Sequence, residues 1–381
     1  MLESFINLLF IRKTRFLYLS FFLFACAVGI NLVTFPSLLK LHKVSALQVG
    51  LAFTFEIAGV GLMSFFISKI ANRYNIIKIL SVNTVIYCSI ILSIFFYFSY
   101  IWWLLMVFIL GCCWLTFVII RMSWLNYLVT NEERGVALGI FSALISAGVA
   151  VGPVIVSFVG ATNYLSFVIA AILVVLSFLS LFTIRHSVMR EIDSEPISLI
   201  KFYNKNPNSF FSRFFLDFTT YTVVSLAVIF GTLVGFTNEN SGLFITAYMA
   251  SGFFDIFVGF MLKKVAAKKL INIGYLGCLC CFLLVSLYQG SFVYLLTIFF
   301  IFGLFIACIY VSVFKMMNED YSAAELVGAN ATFQLIGTLG SLFGSLIGGF
   351  MIEIFGSQGF PILICFGALF YLTFLVIYEK K

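Results

Sequence analysis

Runs of about 20 apolar residues, the length that crosses a bilayer as a helix, follow one another along the whole chain with little between them. In hydrocarbon every backbone N–H and C=O must be satisfied internally, so segments of this length and composition are confined to helices. Twelve spans are expected, over 16–38, 47–68, 76–98, 102–126, 135–159, 164–184, 210–236, 241–262, 270–288, 292–314, 326–350 and 358–378. Only 10% of the 381 residues are charged and 63% are hydrophobic, where a soluble domain carries about 25% charge. An all-α, polytopic membrane protein with no water-soluble domain is therefore expected. The first run follows a basic flank and lacks a small-x-small exit, so it is expected to be retained rather than cleaved as a signal peptide.

Most connections are short, but the one at 185–209 is long and holds Pro196 and Pro207. It divides the chain into two sets of six spans, 1–184 and 210–381, with 185–209 as a cytoplasmic linker. With spans alternating in direction, 19 of the 22 lysines and arginines fall on one side; Lys40, Lys43 and the intraspan Arg121 are the exceptions. Basic loops stay cytoplasmic, which puts both termini inside. The net charge of +7 thus reports topology and gives no reason to expect a nucleic-acid partner.

The two sets look like copies. Gly50-Leu51-x-x-Thr54-x-x-x-Ala58 recurs 192 residues later as Gly242-Leu243-x-x-Thr246-x-x-x-Ala250. At the same offset, Glu133, Phe141, Gly148 and Gly152 become Glu325, Phe333, Gly340 and Gly344. Two separated blocks sharing one offset argue for a duplicated six-helix unit, and parallel repeats of this size are a recognised transporter architecture.

Gly148, Gly152 and Pro153 follow the charged turn Glu132-Glu133-Arg134-Gly135. Glycines four apart share a helix face and let another helix approach closely. Proline removes a backbone donor and bends the helix. Two readings stay open: static packing, or a bent surface where two helices meet and move.

These motifs resemble the major facilitator superfamily over essentially the whole length. Glu133-Arg134-Gly135 with Gly148-x-x-x-Gly152-Pro153 is similar to the fifth-span motif of its drug:proton antiporter branch, and Trp124-Leu125-Asn126 to part of a bacterial subgroup. The turn Ser68-Lys-Ile-Ala-Asn72-Arg73-Tyr-Asn75 resembles the family's Gly-x-x-x-Asp-Arg-x-Gly loop, with Asn72 where the acid stands. The fourth-span arginine of many antiporters has no match at midspan, where Gly111-Cys-Cys-Trp114 stands. The resemblance implies twelve transmembrane helices in two bundles related by pseudo-twofold symmetry. It also implies a central cavity lined by spans 1, 4, 7 and 10, worked by alternating access.

Ionisable residues within spans are the best guide to chemistry, because burying a charge in lipid costs several kcal/mol unless it faces a cavity or a partner. Glu56, near the middle of the second span, is the proton-coupling candidate and also a candidate for binding a substrate cation. Arg121 either snorkels to the cytoplasmic face, binds an anionic solute, or pairs with a carboxylate. Asn31, Asn126 and Gln334 are uncharged candidates for lining the cavity. Asp217 and Asp255 are candidates for an inner gate, paired with Arg213, Lys263 or Arg121. Arg73 and Arg134, near Glu132 and Glu133, are gate-closing charges in this reading, with Gly148, Gly152 and Pro153 as the motif beside them.

Other chemistries find little footing. His42 and His186 lie in loops on opposite sides, which leaves no intramembrane histidine relay. All nine cysteines fall within spans, as small apolar filling rather than metal ligands. There is no Gly-x-x-x-x-Gly-Lys loop for a nucleotide phosphate. No cofactor or metal is expected. The expected function is secondary transport of a small organic solute, coupled to protons and biased to efflux, by a monomer in a bacterial cytoplasmic membrane. The alternatives are proton-coupled metabolite uptake by symport and, from another class, a polytopic membrane enzyme. The last would need acidic or histidine clusters at one membrane surface, and none appears in the sequence.

Overall fold

A computed structural model describes residues 14–129, 134–184, 198–321 and 325–379. Among these every regular element is helical: α1 Thr14–Leu41, α2 Ala46–Ser64, α3 Ile67–Arg73, α4 Ile76–Phe96, α5 Tyr100–Leu128, α6 Arg134–Val159 and α7 Tyr164–Leu179, which ends in a 3₁₀ turn at Ser180–Ile184. After the connector come α8 Leu199–Lys205, α9 Pro207–Leu233, α10 Asn238–Ala250, a 3₁₀ turn Ser251–Phe254, α11 Asp255–Met261, α12 Ala267–Leu287, α13 Phe292–Asp320 and α14 Leu326–Phe355. A last 3₁₀ turn, Gly356–Gln358, leads to α15 Gly359–Glu379. Eleven described stretches are long and apolar enough to cross a membrane, and the last of them, 328–377, contains both α14 and α15. The chain is a multi-pass integral membrane protein, and its helices account for the twelve expected crossings.

The helix ends are chemically marked. Asn75, Asn163, Asn206 and Thr237 each accept a backbone N–H of the first turn of α4, α7, α9 and α10, satisfying donors that have no partner inside the helix. Pro207 opens α9, where its fixed φ suits the helix and its missing N–H costs nothing. Between α6 and α7 the chain turns at Gly160 with φ +104°, a conformation that L side chains rarely adopt.

Two spans differ from the expected continuous rods. The second gives way after Ser64 to the short α3, and the eighth is broken between α10 and α11. At the second break the Ser251 hydroxyl donates to the Tyr248 carbonyl at 2.5 Å, so a side chain competes with the backbone for that acceptor. α6, by contrast, runs through Pro153 without interruption.

The chain separates into two compact units, 1–38 with 55–192, and 39–54 with 193–381. The sequence-based division cuts the chain once; these units also exchange residues 39–54. Within the second unit that stretch is held by the Leu47 N–H, which donates to Glu353 Oε2 at 3.3 Å. It is held too by Gly50, where an added Cβ would fall 2.4 Å from the Ser345 carbonyl oxygen. No sequence period announces such a contact, because it depends on backbone approach at a single glycine.

The two units repeat their packing. An offset of 192 carries α5 onto α13 residue for residue. In the first unit a Cβ on Gly111 would meet the Glu56 carbonyl oxygen at 1.9 Å; in the second, one on Gly303 would meet the Tyr248 carbonyl oxygen at 2.6 Å. Position 248 is 56 displaced by that same offset. Likewise Gly148 backs onto Phe22 O and Cys26 N, and Gly340 onto Phe214 O and Phe218 N. The repeated glycines are therefore close-packing sites against helix backbone, as small residues are in membrane helices.

Candidate functional site

Two ionisable side chains within the spans of the first unit, Glu56 and Arg121, have no counter-charge among the described residues. Glu56 lies on α2 where that helix crosses α5 at Gly111, with Gly59 against the Phe108 carbonyl one turn on. Its carboxyl is half-buried and within electrostatic reach of the Tyr87 phenol on α4. It has no hydrogen-bond or ion-pair partner among the described residues. Tyr87 in turn accepts from Asn31 Nδ2 at 3.1 Å, while Asn31 Oδ1 is buried without a partner. One turn before Tyr87, Asn83 donates to the Cys113 carbonyl at 2.9 Å and fixes α4 against α5. Glu56, Tyr87 and Asn31 thus gather from three helices at one level.

Arg121 is fully buried, at 0% exposure, so it does not snorkel. One amino group donates to Ser177 Oγ at 2.8 Å, and Ser177 donates to the Ser20 carbonyl at 2.7 Å. The guanidinium lies over Phe117 at 4.5 Å and Phe24 at 5.1 Å. Its Nε and its other amino group have no partner, and no carboxylate of the described residues pairs with it. Phe24, Phe117 and Tyr87 form one aromatic cluster, with centroids 4.5–5.9 Å apart, that separates the guanidinium from Tyr87's contacts with Asn31 and Glu56.

The second unit pairs its buried arginine with an acid. Arg213 on α9 holds Asp217, one turn on, at 2.7 Å, with the two side chains 8% and 15% exposed. Arg213 also donates to Gln334 Oε1 on α14 at 3.2 Å and lies 4.7 Å over the Phe333 ring. Gly337 is what makes room: a Cβ there would sit 1.9 Å from Asp217 Oδ2 and 2.6 Å from the Arg213 amino group. Tyr248 and Tyr310 are in electrostatic range of both Asp217 and Asp255. Asp255 itself, at the start of α11, is half-buried and has no ion pair among the described residues, so of the two expected acid–base pairs only Asp217 with Arg213 forms.

The remaining candidates are scattered. Gly148 and Gly152 pack α6 onto α1, where a Cβ on Gly152 would lie 2.3 Å from the Gly29 carbonyl carbon, and Pro153 is buried beside them. Arg73 ends α3, exposed, over the ring of Tyr74 at 5.7 Å. Glu133 lies outside the described residues, as do the side chains of Asn126 and Arg134. Sequence reasoning did not single out Tyr87, Ser177, Tyr310 or Gly337. Tyr87 is one of 17 tyrosines, and nothing in its local sequence marks it as the one bonded to Asn31.

The model of the major facilitator superfamily matches residues 17–237 and again 209–381. The chain belongs to the major facilitator superfamily. Among solved structures, a point mutant of the nucleoside transporter NupG is 14% identical, with a TM-score of 0.82, covering 97% of this chain and 99% of that one. A bacterial homologue of the human lysosomal transporter Spinster, inward-facing and occupied, is 15% identical with a TM-score of 0.74, covering 95% and 93%. A POT family transporter in complex with a thioalcohol-conjugated peptide is 14% identical with a TM-score of 0.75, covering 97% and 96%. At these identities the likeness is one of fold. No curated protein matches the sequence. The family and these structural relatives are transporters rather than enzymes.

Proposed function

We propose that this superfamily member is a secondary active transporter that moves a small organic solute by alternating access, coupled to protons and operating as an exporter. Two six-helix bundles, 1–184 and 210–381, rock about a central site in this reading, joined by 185–209. The single observation that carries proton coupling is Glu56. It is a carboxyl within a membrane helix, beside Tyr87 and Asn31, with no cation paired to it among the described residues. A carboxyl so placed is stable in lipid when it takes up a proton or a cationic group of the solute. Asn31, Arg121, Asn126 and Gln334 are the further substrate-cavity candidates in this reading. Asp217, Asp255, Arg73, Glu133 and Arg134 bias the two access states, which need differ by only a few kcal/mol. The asymmetry of basic loops supports termini on the cytoplasmic side of a bacterial inner membrane, and the protein works as a monomer.

The test is reconstitution into vesicles with an imposed pH gradient, followed by solute screening of wild type against Glu56→Gln. Export by antiport predicts that added solute discharges the gradient in wild type and fails to in the variant. Undiminished pH-dependent transport by Glu56→Gln would remove Glu56 from the mechanism. Uptake by symport is the second reading, favoured by the departures from the antiporter motifs, such as Gly111-Cys-Cys-Trp114 where many antiporters carry a fourth-span arginine; it predicts solute and protons moving in the same direction.

A further inference from the structure

The connector meets the second unit at α8, and this short helix is fastened on several sides. Ser198 caps it, accepting the Lys201 N–H at 3.2 Å. Phe202 is fully buried, stacks on Tyr321 with centroids 5.5 Å apart, and lies 6.4 Å from Phe333. Lys201 and Lys205 both reach Glu325, at 3.7 and 3.6 Å. The Lys205 ammonium also sits 3.9 Å over the Tyr321 ring. Asn206, which ends α8 and caps α9, donates to Asp320. Every one of these partners lies at the end of α13, in the turn after it, or in the first turns of α14.

The magnitudes divide the work. Burying a phenylalanine side chain contributes roughly 1.5–3 kcal/mol, whereas exposed ion pairs such as Lys201 with Glu325 contribute about 0.2–1 kcal/mol. Phe202 is the anchor, and the lysines set its register. The contact does not stop at the surface: Phe333, next to Phe202, carries the Arg213 guanidinium on its face at 4.7 Å, and Arg213 holds Asp217 and Gln334.

From this continuous set of contacts we infer that α8 is a strap: it binds the ends of α13 and α14 together, and Phe202 positions Phe333 and, through it, the buried Arg213–Asp217 pair. The attachment of the connector to the second unit then includes 198–206 on α13 and α14, beside the contacts of the Tyr203 ring with Phe210 and Phe211 in the first turn of α9. A displacement of the connector reaches the buried pair through two rings. The inference stands apart from the solute and the coupling ion, so the vesicle experiment with Glu56→Gln and the one below fail independently.

Hydrogen exchange of the full chain in lipid nanodiscs tests it, comparing wild type with Phe202→Ala, Phe202→Leu and Glu325→Gln. Local opening is read amide by amide. A strap predicts that Phe202→Ala raises exchange at least 10-fold in 199–206 and at least 3-fold in 316–321 and 328–334 together. Phe202→Leu keeps most of the apolar volume and stays within 3-fold of wild type, and Glu325→Gln shows the same regional pattern at a smaller amplitude. Exchange that rises in 199–206 alone would overturn the inference, as would no change anywhere. If Phe202→Ala does not fold, Glu325→Gln decides by the same regional pattern, because it weakens the half-exposed ion pairs and leaves Phe202 in place.

Discussion

The two units share a packing plan and differ in how they treat a buried arginine. In the second, Arg213 has Asp217 one turn away on its own helix, Gln334 opposite, and a glycine at 337 cut away to admit the pair. In the first, Arg121 has two phenylalanine faces, one serine hydroxyl, and two donor groups with no acceptor among the described residues. Backbone packing follows the duplication down to individual carbonyls, while the polar filling does not. Position 248 is a tyrosine where its counterpart is Glu56, and Phe21 stands where the second unit has Arg213. A duplicated scaffold constrains where helices touch; it leaves each unit free to place its own charges.

The sharpest way to break this comparison is to remove each arginine. Arg213→Met should cost about 3–5 kcal/mol, because Asp217 is left buried and unpaired. Arg121→Met strands no acid and removes two unsatisfied donors, so thermal unfolding should place it within about 1 kcal/mol of wild type. Equal losses from the two substitutions would mean that Arg121 has a hidden counter-charge and that the contrast is false. The double change Arg213→Met with Asp217→Leu should recover most of what Arg213→Met loses.

Next in size is the shared scaffold. Gly111→Ala and Gly303→Ala each force a Cβ onto a helix carbonyl and should destabilise by about 1–3 kcal/mol. Gly139→Ala, with nothing within 4 Å of the added atom, should do no harm. Denaturation in a fixed detergent reads all three. A large loss at 139, or none at 111, would remove glycine packing as the common feature of the two units.

A smaller effect sharpens the polar side. Gln334→Leu deletes one hydrogen bond from a charged donor, worth about 1.5–3 kcal/mol when well formed. At 3.2 Å and on a partly exposed side chain, the low end is expected. The smallest is Lys201→Ala, which loses an exposed ion pair at 3.7 Å and should shift the midpoint by less than about 0.5 kcal/mol.

Much of the fold was legible without coordinates. Apolar runs of bilayer length set the number and order of the helices, and the offset of 192 exposed the duplication. The site was legible only as a set of rare polar residues in an apolar chain. Glu56, Arg121 and Asp217 stood out because charges are scarce there, yet their partners did not. Tyr87, Ser177 and Phe117 are common residue types in this composition, and an offset rule that finds Gly303 from Gly111 finds no second Glu56. Whether Arg121 reached water or lay sealed among aromatic rings could not be read from its depth along a span.

Composition and the length of its apolar runs determined that this chain crosses a membrane many times, because hydrocarbon imposes the same length and the same backbone satisfaction on every span, and motifs recurring at one offset pointed to the repeat of its halves. The partner of each buried charge was decided by tertiary structure alone. Such a partner depends on which helix faces are turned together and on gaps as small as one missing Cβ at Gly337, neither of which leaves a mark in the order of residues.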